Sequence, residues 1–204
     1  MINAVGRDIP EEILKQTGKE VFQGNYYKDG KPFKKAGPMV TPVMNHDHDK
    51  MVKDIHEALV KCNAHDGMTV SFHHHFRDGD LVVCMVMKEI QKMGLKNITI
   101  SASSLGKAHD DLVPMIEDGT ITNIESSGVR GKIGEAISHG KLKGLATMRS
   151  HGGRVRALVT GETHVDIAFI GAPTCDEYGN CRGIGGKTNC GVLSYSYVDG
   201  NQAD

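Results

Sequence analysis

The chain of 204 residues balances 24 lysines and arginines against 25 aspartates and glutamates, giving a formal net charge of -1 at pH 7. Because it has neither a basic excess nor a long basic run, it lacks the electrostatic footprint of a nucleic-acid-binding protein. Hydrophobic residues make up 39% of the chain, enough to bury the core of one large or two small domains. No segment approaches the apolar length that spans a bilayer, and the first residues lack a signal-peptide pattern, so we expect a cytoplasmic protein.

The five cysteines are an odd number without a short paired spacing. This pattern favours reduced thiols over a disulfide framework. Three of them lie in a glycine-rich region near the end of the sequence, where a metal or redox set is conceivable. Their spacing is irregular, so we interpret them as small buried residues and free thiols. The five are Cys62, Cys84, Cys175, Cys181 and Cys190.

The first 45 residues differ in composition from the rest. They contain one short amphipathic helix candidate, residues 10–16, followed by glycine, proline and lysine. We interpret residues 1–45 as an N-terminal extended strap with a short helix, lying over a domain. Residues 46–204 carry the regular apolar patterns of that domain.

Strand and helix patterns alternate from residue 47 onward. Apolar residues at three-and-four spacing predict helices, and short runs rich in β-branched residues predict strands. The predicted order is helix 47–62, strand 68–72, helix 81–93, strand 97–102, helix 111–117, strand 121–125, helix 132–139, strand 142–148, helix 154–160 and strand 165–171. Asp47 or Asp49 is expected to cap the first helix and Asp80 the second. Residues 192–198 alternate again, as a strand does.

This alternation predicts an α/β fold of three layers, in which helices flank a mostly parallel sheet joined by right-handed crossovers. The last strand, 165–171, is apolar throughout, which is typical of a strand covered on both faces. Ligands of such sheets bind beyond the carboxyl ends of the strands. Four loops at predicted strand ends carry polar residues and glycines, namely 73–79, 101–106, 126–131 and 149–154. We expect these loops to converge on one edge of the sheet.

The loop 149–154 is the strongest candidate for binding an anion. Adjacent glycines, Gly152 and Gly153, let a backbone approach a ligand, and amides at a helix start attract negative charge. Arg149 and Arg154 flank the glycines, together with Ser150 and His151. Guanidinium groups bind carboxylates in a two-pronged manner. The sequence therefore predicts that this loop meets the charge of an anionic substrate.

Three consecutive histidines follow the predicted strand 68–72. Only His73 and His75 of the triplet share a face, because side chains alternate along a strand. A metal would need further ligands from elsewhere, and no recognised ligand spacing is present, so we favour an anion-binding or pocket-lining role. The residues that could complete a metal site are His46, His48, His109 and Asp110. At the other loops, Glu125 ends a predicted strand and Arg130 follows it; a strand-end carboxylate is structural more often than catalytic.

Three stretches together carry a resemblance to a known family: DGMTVSFHHHFRDGD, SSGVRGKIGEAISHGKL and TMRSHGGRVRALVTGETHVDIAFIGAPTCDEYGNCRG. The chain resembles the α subunits of citrate lyase, members of the CoA-transferase superfamily. The resemblance implies a three-layer fold like that of the NagB, RpiA and CoA-transferase proteins. It further implies that this chain corresponds to the first of two similar halves of a subunit. One departure concerns the first strand end, where many CoA-transferases have a glycine-rich loop and this chain has His73 and its neighbours.

The resemblance also implies an activity and partners. The expected reaction exchanges the acetyl group of an acyl-carrier or CoA thioester for citrate, giving a citryl thioester and acetate. The expected partners are the citrate lyase β subunit and the γ subunit, an acyl carrier that bears a CoA-derived prosthetic group, within an oligomer. No covalently bound cofactor and no metal are expected in this chain. Two alternatives remain open: a half-subunit that binds or assembles without turnover, and an enzyme similar to sugar-phosphate isomerases.

With citrate as the implied substrate, the site residues take provisional roles. Arg149 and Arg154 would bind citrate carboxylates, and the amides of Gly152 and Gly153 would hold a developing oxyanion. His151, or His73 with His75, would orient substrate or move a proton. We expect replacement of Arg154 by alanine to abolish transfer with the fold intact; the alternative is that Arg154 only pairs with a neighbouring helix. The predicted catalytic residues are His151, Gly152, Gly153 and Glu125, and the predicted substrate-binding residues are Arg149, Ser150, Arg154, Arg130, His73 and His75.

Overall fold

A computed structural model of the protein describes residues 1–4, 6–21, 27–28, 31–32, 50–73 and 80–204. Predictions that concern His75, His46, His48, Asp47 and Asp49 lie outside these residues. Within the described part, no helix is long and apolar enough to cross a membrane.

Seven α-helices, nine β-strands and one 3-10 helix form the described structure. In chain order they are α1 (Glu11–Thr17), β1 (Tyr27–Lys28), β2 (Lys31–Pro32), α2 (Ile55–Lys61), β3 (Thr69–His73), α3 (Val82–Lys92), β4 (Ile98–Ala102), the 3-10 helix (Lys107–Leu112), α4 (Val113–Glu117), β5 (Ile121–Ser126), α5 (Gly131–Ser138), β6 (Ala146–Met148), α6 (His151–Val159), β7 (Ile167–Ile170), β8 (Thr174–Cys175), β9 (Cys181–Arg182) and α7 (Tyr195–Gln202).

The central sheet has five parallel strands in the order β6-β5-β4-β3-β7. The chain builds β3, β4, β5 and β6 outward in one direction and then returns to add β7 on the other side of β3. The direction of winding therefore reverses between β3 and β7. Such a reversal opens a crevice at the carboxyl ends of the two strands, where ligands of this architecture bind.

The two faces of the sheet differ in chemistry. One face presents Val70, Phe72, Ile100 and Ile124, all at most 1% exposed, to a hydrophobic core shared with α2, α3, α4 and α5. Because strand side chains alternate, the residues between them point to the opposite face. That face carries a register row of Thr147, Glu125, Ser101, Ser71 and Ala168 across the five strands.

Helices α6 and α7 cover this second face. They pack against each other, and α7 also contacts β3 and β7. The apolar cluster on this side is small, with Leu158, Val165 and Ala203 buried. Helices on both faces make the three layers predicted from the alternating pattern, so the α/β prediction is confirmed.

Several element boundaries differ from the predicted ones. The first helix of the domain begins after Asp54, whose carboxylate accepts the Glu57 amide at 2.8 Å. Met51 and Val52, which fall within the predicted helix 47–62, precede α2 and are exposed. Capping decides this start, since a side-chain acceptor satisfies a first-turn amide that the helix leaves unpaired. The next helix, α3, has Leu81 and not the predicted Asp80 as its N-cap, without a side-chain cap hydrogen bond. Asp80 lies one residue earlier and accepts the Val82 amide at 2.8 Å.

Two further predictions were wrong. β7 is an edge strand, with three of its four residues only partly buried, although its sequence is typical of a doubly covered strand. The alternating stretch 192–198 leads into a helix, α7, whose polar residues Ser196 and Asp199 face inward. A buried charge with a partner on α6 overrides the local strand pattern.

The predicted N-terminal helix is present as α1, and none of its residues is buried. Beyond it, the Lys19 ammonium group donates a hydrogen bond to the Leu142 carbonyl, just before β6. This contact brings the described part of the strap against the α/β domain.

Candidate functional site

The loops that follow the central strands lie together at the carboxyl edge of the sheet. Leu105 and Val129, from the loops after β4 and β5, form an isolated parallel bridge. The Arg149 amide donates to the Ser126 carbonyl at 2.9 Å, which links the end of β6 to the end of β5. The Gly171 amide donates to the His73 carbonyl at 3.1 Å on the far side. The predicted convergence at one edge is therefore present for the described loops.

The predicted anion loop is largely the first turn of α6. Ser150 is the N-cap, and its hydroxyl accepts the Gly153 amide at 3.0 Å. His151, Gly152 and Gly153 are helical, so the helix begins three residues earlier than predicted. The amides of His151 and Gly152 have no intrahelical acceptor, whereas the Gly153 amide is already bound. Of the two predicted oxyanion donors, only Gly152 keeps its amide for a ligand.

Gly152 faces open space. A methyl group placed on its α-carbon would meet nothing within 4 Å, and its backbone has no positive φ that would require glycine. The residue is also exposed. Neither packing nor backbone conformation requires a glycine here, and the absence of a side chain leaves the helix start open to the approach of a ligand.

Two histidines meet at Tyr195. His73, at the end of β3, is 6% exposed, and its ring lies edge-on to the Tyr195 ring with centroids 5.5 Å apart. The ring of His151, on α6, also contacts Tyr195, with ring centroids 5.5 Å apart and the two planes tilted by 45°. Tyr195 is the first residue of α7. Three helices or strands thus bring two imidazoles and a phenol together where the sheet reverses its winding.

Arg154 lies in the interior, not at the surface of this site. Its guanidinium group is 2% exposed and binds the fully buried carboxylate of Asp199 on α7 at 2.8 and 3.3 Å. It also donates to the hydroxyls of Ser71 and Ser101 at 3.0 and 3.3 Å. The alternative of pairing with a neighbouring helix is the arrangement found. Direct binding of substrate by Arg154 has no support from this geometry.

The Arg154–Asp199 pair also sets the position of the aromatic cluster. Arg154 lies one turn after His151 on α6, and Asp199 lies one turn after Tyr195 on α7. Residues three or four apart share a helix face, so the ion pair and the His151–Tyr195 contact join the same two faces. The buried charges therefore fix how α6 and α7 present their first residues to the site.

Arg149 is bound within a second charged cluster. Its guanidinium group donates to Glu125 and forms an ion pair with Glu162 at 2.7 Å, with 11% of its side chain exposed. Thr163 donates to both oxygens of Glu125, at 2.8 and 2.7 Å, and Arg156 contacts Glu162 at 2.6 Å. Burial alone would lower the pKa of Arg149, but the charges of Glu125 and Glu162 outweigh it and raise that pKa.

This second cluster balances two guanidinium groups against two carboxylates. Arg149 therefore brings little net positive charge to an incoming anion. Glu125, predicted as catalytic, is held by Arg149 and Thr163 and is 7% exposed. Its contacts give it a positioning role at the end of β5, where it anchors the residue that precedes the cap of α6.

The remaining predicted residues lie apart from the cluster at Tyr195. Arg130 is exposed and is the N-cap residue of α5, with its amide donating to the Leu105 carbonyl at 2.9 Å. His109 accepts the Gly106 amide through Nδ1 at 3.0 Å and is buried, so it serves the 3-10 helix. Asp110 accepts the Lys132 amide at 2.8 Å. The structure does not bring His109 or Asp110 to His73.

Sequence reasoning missed three residues that organise this edge: Tyr195, Asp199 and Glu162. Tyr195 lies in the stretch 192–198 that was interpreted as a strand, and Asp199 directly follows it, so their helical spacing went unrecognised. A signal existed, because Tyr195 and Asp199 are four residues apart and the pair would share a helix face. Glu162 follows a helix end and reads as an ordinary turn residue.

One group among the described residues could hold a metal ion, and it lies at the opposite edge of the sheet. His164, Asp166 and Asp204 place ligand atoms within 4.8 Å of one another. His164 Nε2 lies 3.0 Å from Asp204 and 3.6 Å from Asp166, and Asp166 also accepts the Thr69 amide at 2.6 Å. These polar contacts account for the group without an ion.

The chain is an α/β domain, with helices on both faces of a parallel sheet. Polar side chains and a helix start lie at the point of reversal, where ligands of such domains bind. Comparison with known proteins narrows this class. Residues 48–204 match the family "Citrate lyase, alpha subunit (CitF)". The chain therefore belongs to the citrate lyase alpha-subunit family.

Individual proteins that the chain resembles belong to the same family. The chain is 48% identical over 155 residues to the citrate lyase alpha chain of Haemophilus influenzae and 49% identical over 154 residues to that of Escherichia coli. A crystal structure described as the alpha subunit of citrate lyase from Streptococcus mutans in complex with citrate is 48% identical, with a TM-score of 0.80 over 99% of this chain.

The chain spans only part of these relatives. The alignments cover 76% of this chain but 31% and 30% of the two curated proteins, and 39% of the crystallised chain. These shares are smaller than the half implied by the resemblance in sequence.

Proposed function

We propose that this chain supplies the citrate-binding part of a transferase that exchanges the acetyl group of a thioester for citrate within citrate lyase. The family membership supports the general role. The observation that carries the proposal is the cluster of His73, Tyr195 and His151 beside the free helix start of α6. Imidazole and phenol groups next to helix amides suit a polycarboxylate.

In the proposed complex, citrate carboxylates lie against the first turn of α6. The amides of His151 and Gly152 donate to one carboxylate, and the partial positive charge of the helix start adds to the attraction. His73 and His151, when protonated, bind through charge-assisted hydrogen bonds. Tyr195, which contacts both histidines, donates a hydrogen bond to citrate from its hydroxyl group. Arg154 and Arg149 do not contact citrate in this proposal. They contribute indirectly, by holding α6 and α7 in place.

The proposed exchange takes place in two steps. A citrate carboxylate oxygen attacks the carbonyl carbon of the acetyl thioester, which releases the thiolate and leaves a mixed anhydride. The thiolate then attacks the citryl carbonyl of that anhydride, forming the citryl thioester and releasing acetate. Donors preorganised at the oxyanion accelerate both attacks. The Gly152 amide, which holds a citrate carboxylate, is the donor that we assign to the second attack, in which the oxyanion forms on the citryl carbonyl.

The thioester itself would come from outside this chain. We propose that it is carried on the CoA-derived prosthetic group of an acyl-carrier γ subunit, with free CoA thioesters as analogues, and that a β subunit cleaves the citryl product. An open cleft of about 680 Å³ after β7, lined by Ala172, Pro173, Gly185, Gly186, Lys187 and Thr188, offers a place for a long thioester arm. Lys187 would supply positive charge toward a phosphate.

Thioester exchange by the full chain tests the proposal. Acetyl-CoA plus citrate is expected to yield citryl-CoA and acetate, with acetate formation dependent on citrate. Replacement of Tyr195 by phenylalanine keeps the ring contacts and removes one donor, so the KM for citrate should rise with little change in stability. Turnover of a panel of phosphosugars, with none of citrate, would instead favour an isomerase. Citrate binding without turnover would identify a binding module: it would contradict thioester exchange by this chain and leave its citrate-binding role in place.

A further inference from the structure

Two cysteines face each other across a short hairpin after β7. β8 and β9 pair antiparallel, with Cys175 directly opposite Cys181. Both residues are free and exposed. Directly opposite residues of an antiparallel pair place their side chains on the same face, with Cβ atoms about 4.5–5.5 Å apart. Their spacing of six residues gave no sign of this in the sequence, where both were interpreted as small buried residues and free thiols. The expected burial was wrong, because both residues are exposed.

The hydrogen bonds of the turn show which kind of pair this is. The Asp176 amide donates to the Asn180 carbonyl at 3.1 Å, and the Gly179 amide donates to the Asp176 carbonyl at 3.0 Å. Hydrogen-bonded and non-hydrogen-bonded pairs alternate along an antiparallel ladder. Cys175 and Cys181 therefore form the closer, non-hydrogen-bonded pair, with α-carbons about 4.5 Å apart. A disulfide bridges α-carbons about 4.4–6.8 Å apart, so this pair can close with little movement.

The turn that joins the two strands is held firmly. Asp176 accepts the amides of Tyr178 and Asn180 through one oxygen, at 3.0 and 2.9 Å, and the Asn180 side chain through the other at 2.9 Å. These bonds lower the pKa of Asp176, so the carboxylate stays charged and keeps its three hydrogen-bond donors. Gly179, with a φ of +83°, allows the reversal. The thiols are therefore presented opposite each other before any oxidant arrives.

We propose that Cys175 and Cys181 are a dithiol site that a small disulfide, such as oxidised glutathione, converts reversibly to an intramolecular disulfide. One cysteine thiolate attacks a sulfur of the small disulfide, forming a mixed disulfide and releasing one thiolate. The second cysteine thiolate attacks the protein sulfur of that mixed disulfide and releases the second thiolate. The two protons lost by the cysteines are taken up by the two released thiolates, so two thiols are oxidised and one disulfide is reduced.

The environment of Cys181 affects how fast this happens. Burial, the Cys175 thiol and Asp176 raise the pKa of Cys181. Since the thiolate is the attacking species, exchange is best followed at alkaline pH. The hairpin follows closely after β7, whose carboxyl end lies at the same edge of the sheet as the candidate site. Closing the bond would stiffen this margin of the site.

Peptide mass mapping after incubation of the full chain with oxidised glutathione tests the proposal. The peptide that contains both cysteines should lose the mass of two hydrogens and resist alkylation, and dithiothreitol should reverse the change. In the Cys181→Ser variant, glutathione should remain attached to Cys175, at a level more than about tenfold above wild type, since an internal thiol acts at an effective concentration of millimolar order. Cys62→Ser, at the end of α2, is the matched control and should leave the wild-type pattern unchanged.

Two results would overturn the proposal. In one, wild-type Cys175 and Cys181 each carry glutathione without an internal bond. In the other, the bond forms with Cys190, whose amide donates to the Gly183 carbonyl at 3.0 Å just beyond β9.

Discussion

The two faces of the central sheet are built on opposite principles. The face under α2 to α5 is a continuous apolar core, whereas the face under α6 and α7 buries two charged clusters and only a small apolar group. Apolar burial is tolerant of small shifts, because its energy depends on area removed from water. Buried ion pairs require defined geometry, because an unpaired buried charge is costly. The face that requires geometry is the one that carries the candidate site.

Replacement of Arg154 by alanine should have the largest effect and tests the charged face. Asp199 would be left buried without its counterion, so we expect a loss of about 3–5 kcal/mol in the free energy of unfolding, measured by urea denaturation. The control is Arg156→Ala, whose side chain is 46% exposed and should cost under about 1 kcal/mol. Replacing both partners, as Arg154→Met with Asp199→Leu, should recover much of the loss. Unchanged stability of Arg154→Ala would restore the idea of a free, substrate-binding arginine.

Replacement of Ile100 by alanine probes the apolar face. Ile100 is fully buried in the main core, and removing its branched side chain should cost about 2–4 kcal/mol in unfolding free energy. Citrate binding should stay at the wild-type level below the unfolding transition, because this face does not hold the site. The exposed Val159→Ala on α6 serves as the control and should change stability by less than about 0.5 kcal/mol. A loss of citrate affinity in folded Ile100→Ala would contradict the claim that citrate binding depends on the charged face alone.

Glu125→Gln sharpens the comparison within the charged face. Arg149 keeps Glu162 as a counterion, so the loss should be smaller than for Arg154→Ala, about 1–3 kcal/mol in chemical denaturation. The exposed Glu135→Gln on α5 is the matched control, with an expected change near zero. If Glu125→Gln proved as stable as wild type but inactive in thioester exchange, Glu125 would be a catalytic residue and not a positioning residue.

The pH dependence of stability should show a smaller effect than these substitutions. It comes from Asp118, which lies before β5 at the amino edge of the sheet. Burial alone would raise the pKa of Asp118, but hydrogen bonds from Thr120, Gln91 and Lys96 lower it to about 2. A carboxyl group whose pKa is lowered by folding stabilises the fold at any pH above its unfolded-state pKa. This stabilisation is lost as the pH falls from about 4 to about 2. Asp118 is partly exposed, so the contribution should be under about 1 kcal/mol. In thermal unfolding, the melting temperature of Asp118→Asn should fall less steeply over this pH range than that of wild type. An identical fall in the two proteins would exclude a contribution from Asp118.

The apolar face was largely predictable from sequence, and the charged face was not. Runs such as Val70 to Phe72 and the spacing of Val83, Val86 and Ile90 depend only on local pattern, which sets strand and helix directly. The Arg154–Asp199 pair joins residues 45 positions apart, and no local pattern reports such a contact. Gly152 and Gly153 are typical of a loop, yet the Ser150 cap starts a helix there. The unfavourable helix propensity of glycine is outweighed here by the Ser150 cap and by the burial of Arg154.

Titration calorimetry of citrate against the full chain tests the central claim most directly, using Gly152→Ala and Gly128→Ala. An added methyl group meets nothing within 4 Å at either position, so both variants should fold. If citrate lies on the start of α6, Gly152→Ala should weaken binding by about tenfold or more, a loss of about 1.4 kcal/mol, while Gly128→Ala binds as wild type does. Equal citrate affinity in wild type and Gly152→Ala would contradict the placement of the site.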